Sequence, residues 1–323
     1  MDGKGIIPER HPLCVGVFSD SGHGSAWKAF REAALVLAVG NSFAQHATFN
    51  FRQGLLDGKT LIHINLSADE IGKSYKAAHA IVSDAKPAVE ALLEALSGQV
   101  GPQPPREVER QDHEDDYILH VPGPIHPGQL SQAISRHLPE NGMLLSDAGA
   151  HAAWLAYYVQ LKDGQYFRKP GGFGPMAGHI NGALGLKMAN PDRPVVVGCG
   201  DGGYLLSGFE LLTAVQYNIP IVWVIFNDGE FKLIKIFQLA TFHEAGLVEF
   251  GNPDYVAYAK ACGAQGYRVE SLAEFEDAFA AALASGKPTV IDAAITRFAL
   301  PHYSSTPEGV VAGLIVRFTH PQG

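Results

Sequence analysis

The feature that most constrains this chain is the alternation of apolar, β-rich segments with helical segments between residues 128 and 295. Continuous runs of Val and Ile are typical of strands buried on both faces, and intervening helices allow such strands to pair in parallel. The pattern therefore predicts an α/β fold with a doubly wound parallel sheet. The predicted strands span 143–147, 195–199, 221–226 and 289–295, and the predicted helices span 128–137, 151–159, 179–189, 209–217, 254–262 and 272–284.

The first section of the chain has a shorter α/β pattern. Strand-like runs at 34–39 and 61–65 precede a helical run at 86–96. Gly, Pro and charged residues dominate the segment that follows, which can bury little apolar area and is predicted to be an exposed linker. The predicted organisation is a small Rossmann-like domain over 1–97, a linker over 98–117, a larger α/β domain over 118–300 and a tail over 301–323.

Composition and charge exclude several classes of protein. With a formal net charge of -9 and a pI near 5.8, the chain has no excess of basic residues to neutralise a nucleic-acid backbone. Its apolar runs are too short to span a membrane, and its first residues do not resemble a signal peptide. Three widely separated cysteines fit free thiols in a reducing compartment. We expect a cytoplasmic protein that binds neither nucleic acid nor membranes.

Acidic and glycine residues follow two of the predicted strands. Gly200-Asp201-Gly202-Gly203 comes after the strand at 195–199, and Asn227-Asp228 closes the strand at 221–226. A right-handed crossover puts the ends of these strands close together, and ligands in such sheets bind beyond the carboxyl ends. Gly-Asp-Gly alone is also common in α/β turns for conformational reasons. Two carboxylates there, with phosphate oxygens from a cofactor, would suit Mg²⁺.

The spacing of these residues resembles a known signature. Gly200-Asp201-Gly202 is separated from Asn227-Asp228 by 24 residues (203–226), which is similar to the motif of thiamine-diphosphate-dependent enzymes. The segments 3–13 and 210–218 resemble acetolactate synthases, and the resemblance covers nearly the whole chain. It implies a partial middle domain over 1–97 and a thiamine diphosphate-binding domain over 118–300.

The same resemblance implies how the cofactor is held. Thiamine diphosphate would bind through Mg²⁺, with Asp201 and Asp228 as side-chain ligands and the main-chain carbonyl of Glu230 as a third. Gly200, Gly202 and Gly203 would let the backbone approach the cofactor. The family usually has a second Asn at position 228, so the metal here would gain one negative charge, and we expect ligation to survive.

A second predicted cofactor contact is Gly149-Ala150-His151, which follows a strand and opens a helix. The N–H groups and dipole of a helix N-terminus attract anions, and the resemblance implies that pyrophosphate binds there. Many synthases have Gln at position 150, so Ala150 lacks that polar side chain. His151 is a candidate hydrogen-bond donor to the cofactor, or it only caps its helix.

The resemblance also implies contacts to the rest of the cofactor. Glycines make 171–176 a loop, and in similar enzymes this loop holds the aminopyrimidine through its main chain, which assigns the carbonyl of Gly174 and the N–H of Met176. Leu206 matches the bulky residue that bends the cofactor. The alternative from the residues alone is a flexible connection for the loop, and an ordinary core leucine fits Leu206 equally well.

The group that starts the chemistry is expected on another chain. In the family, a Glu of a pyrimidine-binding domain activates the cofactor, and this sequence contains no such domain, so we assign no catalytic residue. The resemblance implies the diphosphate-binding subunit of a split carboligase, paired with a pyrimidine-domain subunit in a heteromer with two copies of each. The small-molecule substrate would be a 2-oxo acid.

Other functions stay open at this point. Phe237 stands where acetolactate synthases usually have Trp, and 42–46 lacks their acidic-Arg run, so a 2-oxo acid decarboxylase or a carboligase with another acceptor fits equally well. A regulatory or scaffold subunit without catalysis is also possible, as is an unrelated nucleotide-binding protein, although the 24-residue spacing argues against the last. The segment 302–306 is either a lid over the cofactor or a frayed terminus.

Overall fold

A computed structural model describes residues 3–101 and 122–301 of the chain, which form two compact units. The smaller unit contains residues 11–101, and the larger contains residues 3–10 and 122–301. Most of the predicted linker and the segment 302–306 lie outside the described residues. Within these described ranges, no helix combines the length and the apolar content needed to cross a membrane.

The smaller unit is built on a three-stranded parallel sheet with the order β1-β2-β3. Its core includes Ala38, Phe43, Leu56 and Leu61. The sequence predicts the first two strands, whereas the third is short and mostly exposed and has no clear alternation of apolar residues. The elements are helix α1 (Gly24–Glu32), strands β1 (Leu35–Val39), β2 (Thr60–Asn65) and β3 (His79–Val82), and helix α2 (Ala85–Leu96).

The larger unit is built on a six-stranded parallel sheet with the order β5-β4-β6-β7-β9-β8. Its strands are β4 (Met143–Ser146), β5 (Tyr166–Arg168), β6 (Val195–Gly200), β7 (Val222–Asn227), β8 (Gln265–Val269) and β9 (Thr289–Ala294). Its helices are α3 (Pro127–His137), α4 (Ala150–Tyr158), α5 (Gly178–Ala189), α6 (Asp201–Ser207), α7 (Leu211–Gln216), α8 (Lys232–Phe242), α9 (Tyr255–Ala261) and α10 (Leu272–Ser285).

Helices cover both faces of this sheet, as the continuous apolar strands predict. Leu144 and Val196 point into one core cluster with residues of α3, α4 and α10. Leu145 and Val197 point into a second cluster with residues of α5, α6, α7 and α9. Neighbouring residues of a strand face opposite sides of the sheet, so strands of this kind must be apolar at every position. The predicted doubly wound α/β fold is confirmed.

The chain reverses direction across the sheet at β4. It passes from β4 to β5 on one side and then to β6 on the other, which opens a crevice at the carboxyl ends of β4 and β6. Next to it, β6 pairs with β7 so that Gly200 lies opposite Phe226. The residues that follow these three strands therefore meet at one edge of the sheet.

Four elements of the larger unit differ from the sequence prediction. Helix α8 has no counterpart among the predicted helices. Helix α6 begins at Asp201, directly after β6, although the sequence predicts a helix only from residue 209. Two glycines in its first turn lower the helix propensity of the segment, so the sequence does not indicate that a helix begins there. Strand β8 mixes polar and apolar residues at the edge of the sheet, and β5 has three residues, so neither has the length or pattern of a buried strand.

A buried ion pair joins residues 3–10 to the larger unit, although the sequence prediction places them in the domain over 1–97. Lys4 Nζ donates to Glu9 at 2.6 Å and to the carbonyl of Val159 at 2.7 Å. A carboxylate oxygen of Glu9 accepts from the Leu161 N–H at 2.8 Å. Both side chains are almost completely buried, so each charge depends on the other for its stabilisation.

Replacing Glu9 by Gln should destabilise the larger unit, because it removes the buried carboxylate to which the Lys4 ammonium donates. We expect the free energy of unfolding to fall by about 3 kcal/mol, measured by urea denaturation. The matched control is Glu70→Gln, which removes an exposed pair with Lys73 and should cost less than about 1 kcal/mol. Equal losses in the two variants would contradict the role given to the buried pair.

Candidate functional site

A cavity of about 250 Å³ lies at the carboxyl ends of β4, β6 and β7 in the larger unit. Residues 148–151 line it after β4, residues 200–203 at the end of β6, and Asp228 and residues 230–234 after β7. The lining includes every residue that the sequence predicts to bind the cofactor or the metal, except Leu206. Leu206 does not line the cavity, and its side chain is 61% exposed on α6.

Asp201 links the ends of β6 and β7. Its Oδ2 accepts hydrogen bonds from the Gly229 N–H at 2.7 Å and from Asn252 Nδ2 at 2.8 Å, and its Oδ1 accepts from the Gly202 N–H at 2.8 Å. Asn252 also donates to the side-chain oxygen of Asn227. Burial raises the pKa of Asp201 above its usual value, although these hydrogen bonds oppose the rise. The carboxylate is therefore held in one position.

Asp228 and Glu230 form a second acidic group with two lysines. Lys232 Nζ contacts the carboxylate of Glu230 and lies 3.3 Å from Asp228, and Lys235 Nζ lies 2.5 Å from Glu230. Burial raises the pKa of Asp228 to about 7; the Lys232 ammonium opposes this shift, and the carboxylates of Asp201 and Glu230 add to it. Burial also acts to raise the pKa of Glu230, but its bonds to the two lysines leave that pKa below its usual value.

The oxygen donors of this cavity fit a Mg²⁺ ion that also binds phosphate. The carboxylates of Asp201 and Asp228 are buried close enough to repel each other, and a cation would relieve that repulsion. The carbonyl of Glu230 accepts one hydrogen bond from the Lys232 N–H and keeps a second lone pair. Across the described ranges, no group of three His, Cys, Asp or Glu side chains could hold a metal by itself. Mg²⁺ usually completes such partial shells with water and phosphate oxygens.

The start of α4 forms another wall of the cavity. Gly149 has φ +153°, and a Cβ there would lie 2.7 Å from Cε1 of His151, so only glycine fits. The first N–H groups of a helix have no intrahelical acceptor, and those of Ala150 and His151 belong to this turn. The arrangement suits an anion such as a diphosphate.

The sequence suggests that His151 donates a hydrogen bond to the cofactor, but in the structure the imidazole donates to the protein main chain. Its Nε2 lies 2.9 Å from the carbonyl oxygen of Asp147, and since a carbonyl can only accept, Nε2 carries the proton. Burial lowers the pKa of His151 to about 4, so the ring is neutral near pH 7 and its Nδ1 can only accept. In this state, the side chain has no second N–H to offer a diphosphate.

Asp147 is a site residue that sequence reasoning missed. Its buried carboxylate accepts from the N–H groups of Ala177 at 2.7 Å and His179 at 3.1 Å. It thereby joins the end of β4 to the start of α5 and fixes the chain just after Gly174 and Met176, both of which line the cavity. An acidic residue at a strand end was visible in the sequence, but its hydrogen-bond partners lie about thirty residues away.

The glycines after β6 are required for packing within the protein. A Cβ at Gly202 would lie 2.5 Å from the ring of Phe231, and one at Gly203 would lie 2.8 Å from the carboxylate of Asp147. Both glycines are helical residues of α6. Both glycines also line the cavity, so the close approach of a ligand to their backbone stays a prediction.

Comparison with known families identifies both parts of the chain. Residues 147–293 match the model of the thiamine pyrophosphate enzyme C-terminal TPP binding domain. Residues 1–92 match the model of the thiamine pyrophosphate enzyme central domain. The first match begins directly after β4 and contains β6, β7 and most of the residues that line the cavity.

Three curated relatives are each aligned over 91% of this chain. A probable acetolactate synthase large subunit of Methanocaldococcus jannaschii is 30% identical over 312 residues, 51% of its length. A putative acetolactate synthase large subunit, IlvB2, of Mycobacterium tuberculosis is 29% identical over 304 residues, 54% of its length. The putative thiamine pyrophosphate-containing protein YdaP of Bacillus subtilis is 26% identical over 306 residues, 51% of its length. The chain spans about half the length of these relatives.

The buried imidazole of His151 should make stability depend on pH. Its pKa in the folded protein, about 4, lies below the value near 6.5 expected in the unfolded chain. Between these values the unfolded chain binds more protons, so this contribution is complete above about pH 6.5 and is lost as the pH falls towards 4. His151→Gln should remove up to about 3 kcal/mol of that loss, measured as free energies of unfolding in urea across the pH range. Identical pH profiles for wild type and variant would contradict a buried neutral ring.

Proposed function

We propose that this chain is the diphosphate-binding subunit of a split, acetolactate synthase-like carboligase. The premise is that the chain belongs to the family of thiamine pyrophosphate enzymes, whose central and C-terminal domains it carries. One observation carries the proposal: Asp201, Asp228, the main chain of Glu230 and the start of α4 line a single cavity. The substrate we propose is a 2-oxo acid, in keeping with the acetolactate synthases among the relatives.

Each wall of the cavity has a proposed partner in the cofactor. Asp201, Asp228 and the carbonyl of Glu230 would hold Mg²⁺, and the N–H groups at the start of α4 would hold the diphosphate. The carbonyl of Gly174 and the N–H of Met176 would hold the aminopyrimidine. Bound thiamine diphosphate supplies an electron sink that stabilises the carbanion left when a bond next to a carbonyl is cleaved.

The partners of the acidic side chains in the cavity support the proposal that a second subunit supplies the group that activates the cofactor. Among the described residues that line it, the only acidic side chains are Asp201, Asp228 and Glu230. Asp201 accepts three hydrogen bonds, and Glu230 is paired with Lys232 and Lys235. Asp228 is paired with Lys232 and is assigned here to the metal, so we assign none of the three to the aminopyrimidine ring. We propose that a glutamate of a pyrimidine-domain subunit bonds that ring, in a heteromer with two copies of each subunit.

Cofactor binding is tested by thermal unfolding. Thiamine diphosphate with Mg²⁺ should raise the melting temperature, because a ligand at about 100 times its Kd stabilises the folded state by roughly 2.7 kcal/mol. Asp201→Asn should abolish most of this shift, since it removes a charged ligand and a buried acceptor. Asp254→Asn is the matched control, because Asp254 is exposed and caps α9, where Asn serves equally well. Stabilisation by ATP or NAD, with no response to thiamine diphosphate, would contradict the proposal.

Catalysis is tested by reconstitution. We expect negligible 2-oxo acid turnover by this chain with cofactor and Mg²⁺, and turnover once the pyrimidine-domain subunit is added, because the activating glutamate is then supplied. Product analysis separates carboligation, which yields an acyloin-type product, from simple decarboxylation, which yields an aldehyde. Turnover by the isolated chain at the rate of the reconstituted enzyme would refute the split arrangement. Cofactor binding without turnover under any condition would favour a scaffold subunit.

A further inference from the structure

Lys232 occupies an unusual place for a lysine, buried at the start of α8 and lining the cavity. Its ammonium contacts the Glu230 carboxylate, donates to the carbonyl of Arg297 at 2.6 Å, and lies 3.3 Å from Oδ2 of Asp228. Two hydrogen bonds, to Glu230 and to the carbonyl of Arg297, hold the ammonium in place, and Asp228 is its third acidic or carbonyl neighbour. The lysine is therefore held as a fixed positive charge beside Asp228.

The two lysines of this cluster have different partners. Lys235 Nζ lies 2.5 Å from Glu230 and 3.6 Å from Glu249, with no ion pair to Asp228. Lys232 pairs with both Glu230 and Asp228. Glu230 therefore has two positive partners, whereas Asp228 depends on Lys232. In the part of the chain that the structure describes, Lys232 is the basic side chain paired with this proposed metal ligand.

We infer that Lys232 is a positioning residue of the cation site, whose ammonium neutralises Asp228 and competes with the divalent cation for the same carboxylate. This inference rests on the proposed function, which makes Asp228 a ligand. Because two cations beside one buried carboxylate repel each other, binding of the metal must weaken the Lys232–Asp228 pair. That contact is the longest of the three made by Lys232, so it can lengthen while Glu230 and Arg297 retain the lysine.

The competition between Lys232 and the metal for Asp228 sets the affinity of the site for a divalent cation. Removing the positive charge at position 232 leaves the carboxylates of Asp201 and Asp228 with an unopposed negative potential, which attracts the metal more strongly. Removing the charge at position 235 affects Glu230, whose proposed metal contact is its main-chain carbonyl. The two lysines share a helix and the carboxylate partner Glu230, and only Lys232 pairs with Asp228, so Lys235 serves as the control for Lys232.

The test is a titration of the full chain with Mn²⁺, followed by the electron paramagnetic resonance signal of the free ion, at about pH 8, where carboxylates are ordinarily ionised. Lys232→Gln should bind Mn²⁺ roughly tenfold more tightly than wild type, whereas Lys235→Gln should change the affinity by less than about threefold. Lys232→Met repeats the measurement with a chain of similar length if the Gln variant folds poorly. Unchanged or weaker binding in the Lys232 variants would overturn the inference.

A double-mutant cycle with Asp228→Asn tests whether the tighter Mn²⁺ binding of Lys232→Gln acts through the Asp228 carboxylate. Asp228→Asn should weaken Mn²⁺ binding, and adding Lys232→Gln to it should give much less than the tenfold gain seen in wild type, because no carboxylate remains to be released. An equal gain in both backgrounds would refute the competition. A wild-type chain that binds neither Mn²⁺ nor thiamine diphosphate would instead overturn the proposed function itself, and with it the inference.

Discussion

A buried carboxylate holds the ends of two neighbouring strands together, and the cavity depends on it. Asp201 follows β6, yet its Oδ2 accepts hydrogen bonds from Gly229, which follows β7, and from Asn252. Leaving a buried carboxylate without partners is costly, because water cannot replace them. The bonds therefore hold one geometry at the edge of the sheet, and the parallel pairing of Gly200 with Phe226 brings the partners within reach.

Asp147 likewise joins two segments on the other side of the cavity. It follows β4, and its carboxylate accepts hydrogen bonds from the main chain at the start of α5. These bonds tie the turn that contains Met176 to the sheet. The crevice between β4 and β6 is the place where the chain reverses direction, and ligands of doubly wound sheets bind at such places. Two buried acids thus bracket one cavity, and each is held by backbone N–H groups from a distant segment.

Two lysines offset part of the negative charge that is buried at the site. Asp201, Asp228 and Glu230 bring three negative charges to a region from which water is largely excluded, and Lys232 and Lys235 oppose them. Burial penalises an unpaired charge heavily, so ion pairs of this kind determine which carboxylates stay available to a cation. In the proposed function, a bound divalent ion would offset the remaining negative charge of the site and the negative charge of its phosphate partner.

The sequence alone determined the parallel sheet and the residues at its strand ends. Continuous Val and Ile runs are local signals, and Asp201 and Asp228 follow them directly, so strand pairing brings both to one edge. Tertiary structure decided what surrounds them: the early start of α6, the partners of Asp147, the hydrogen bond from the His151 ring to the Asp147 carbonyl, and the ammonium of Lys232 beside Asp228. These features depend on burial and on contacts between distant segments, and both arise only when the helices pack on the sheet.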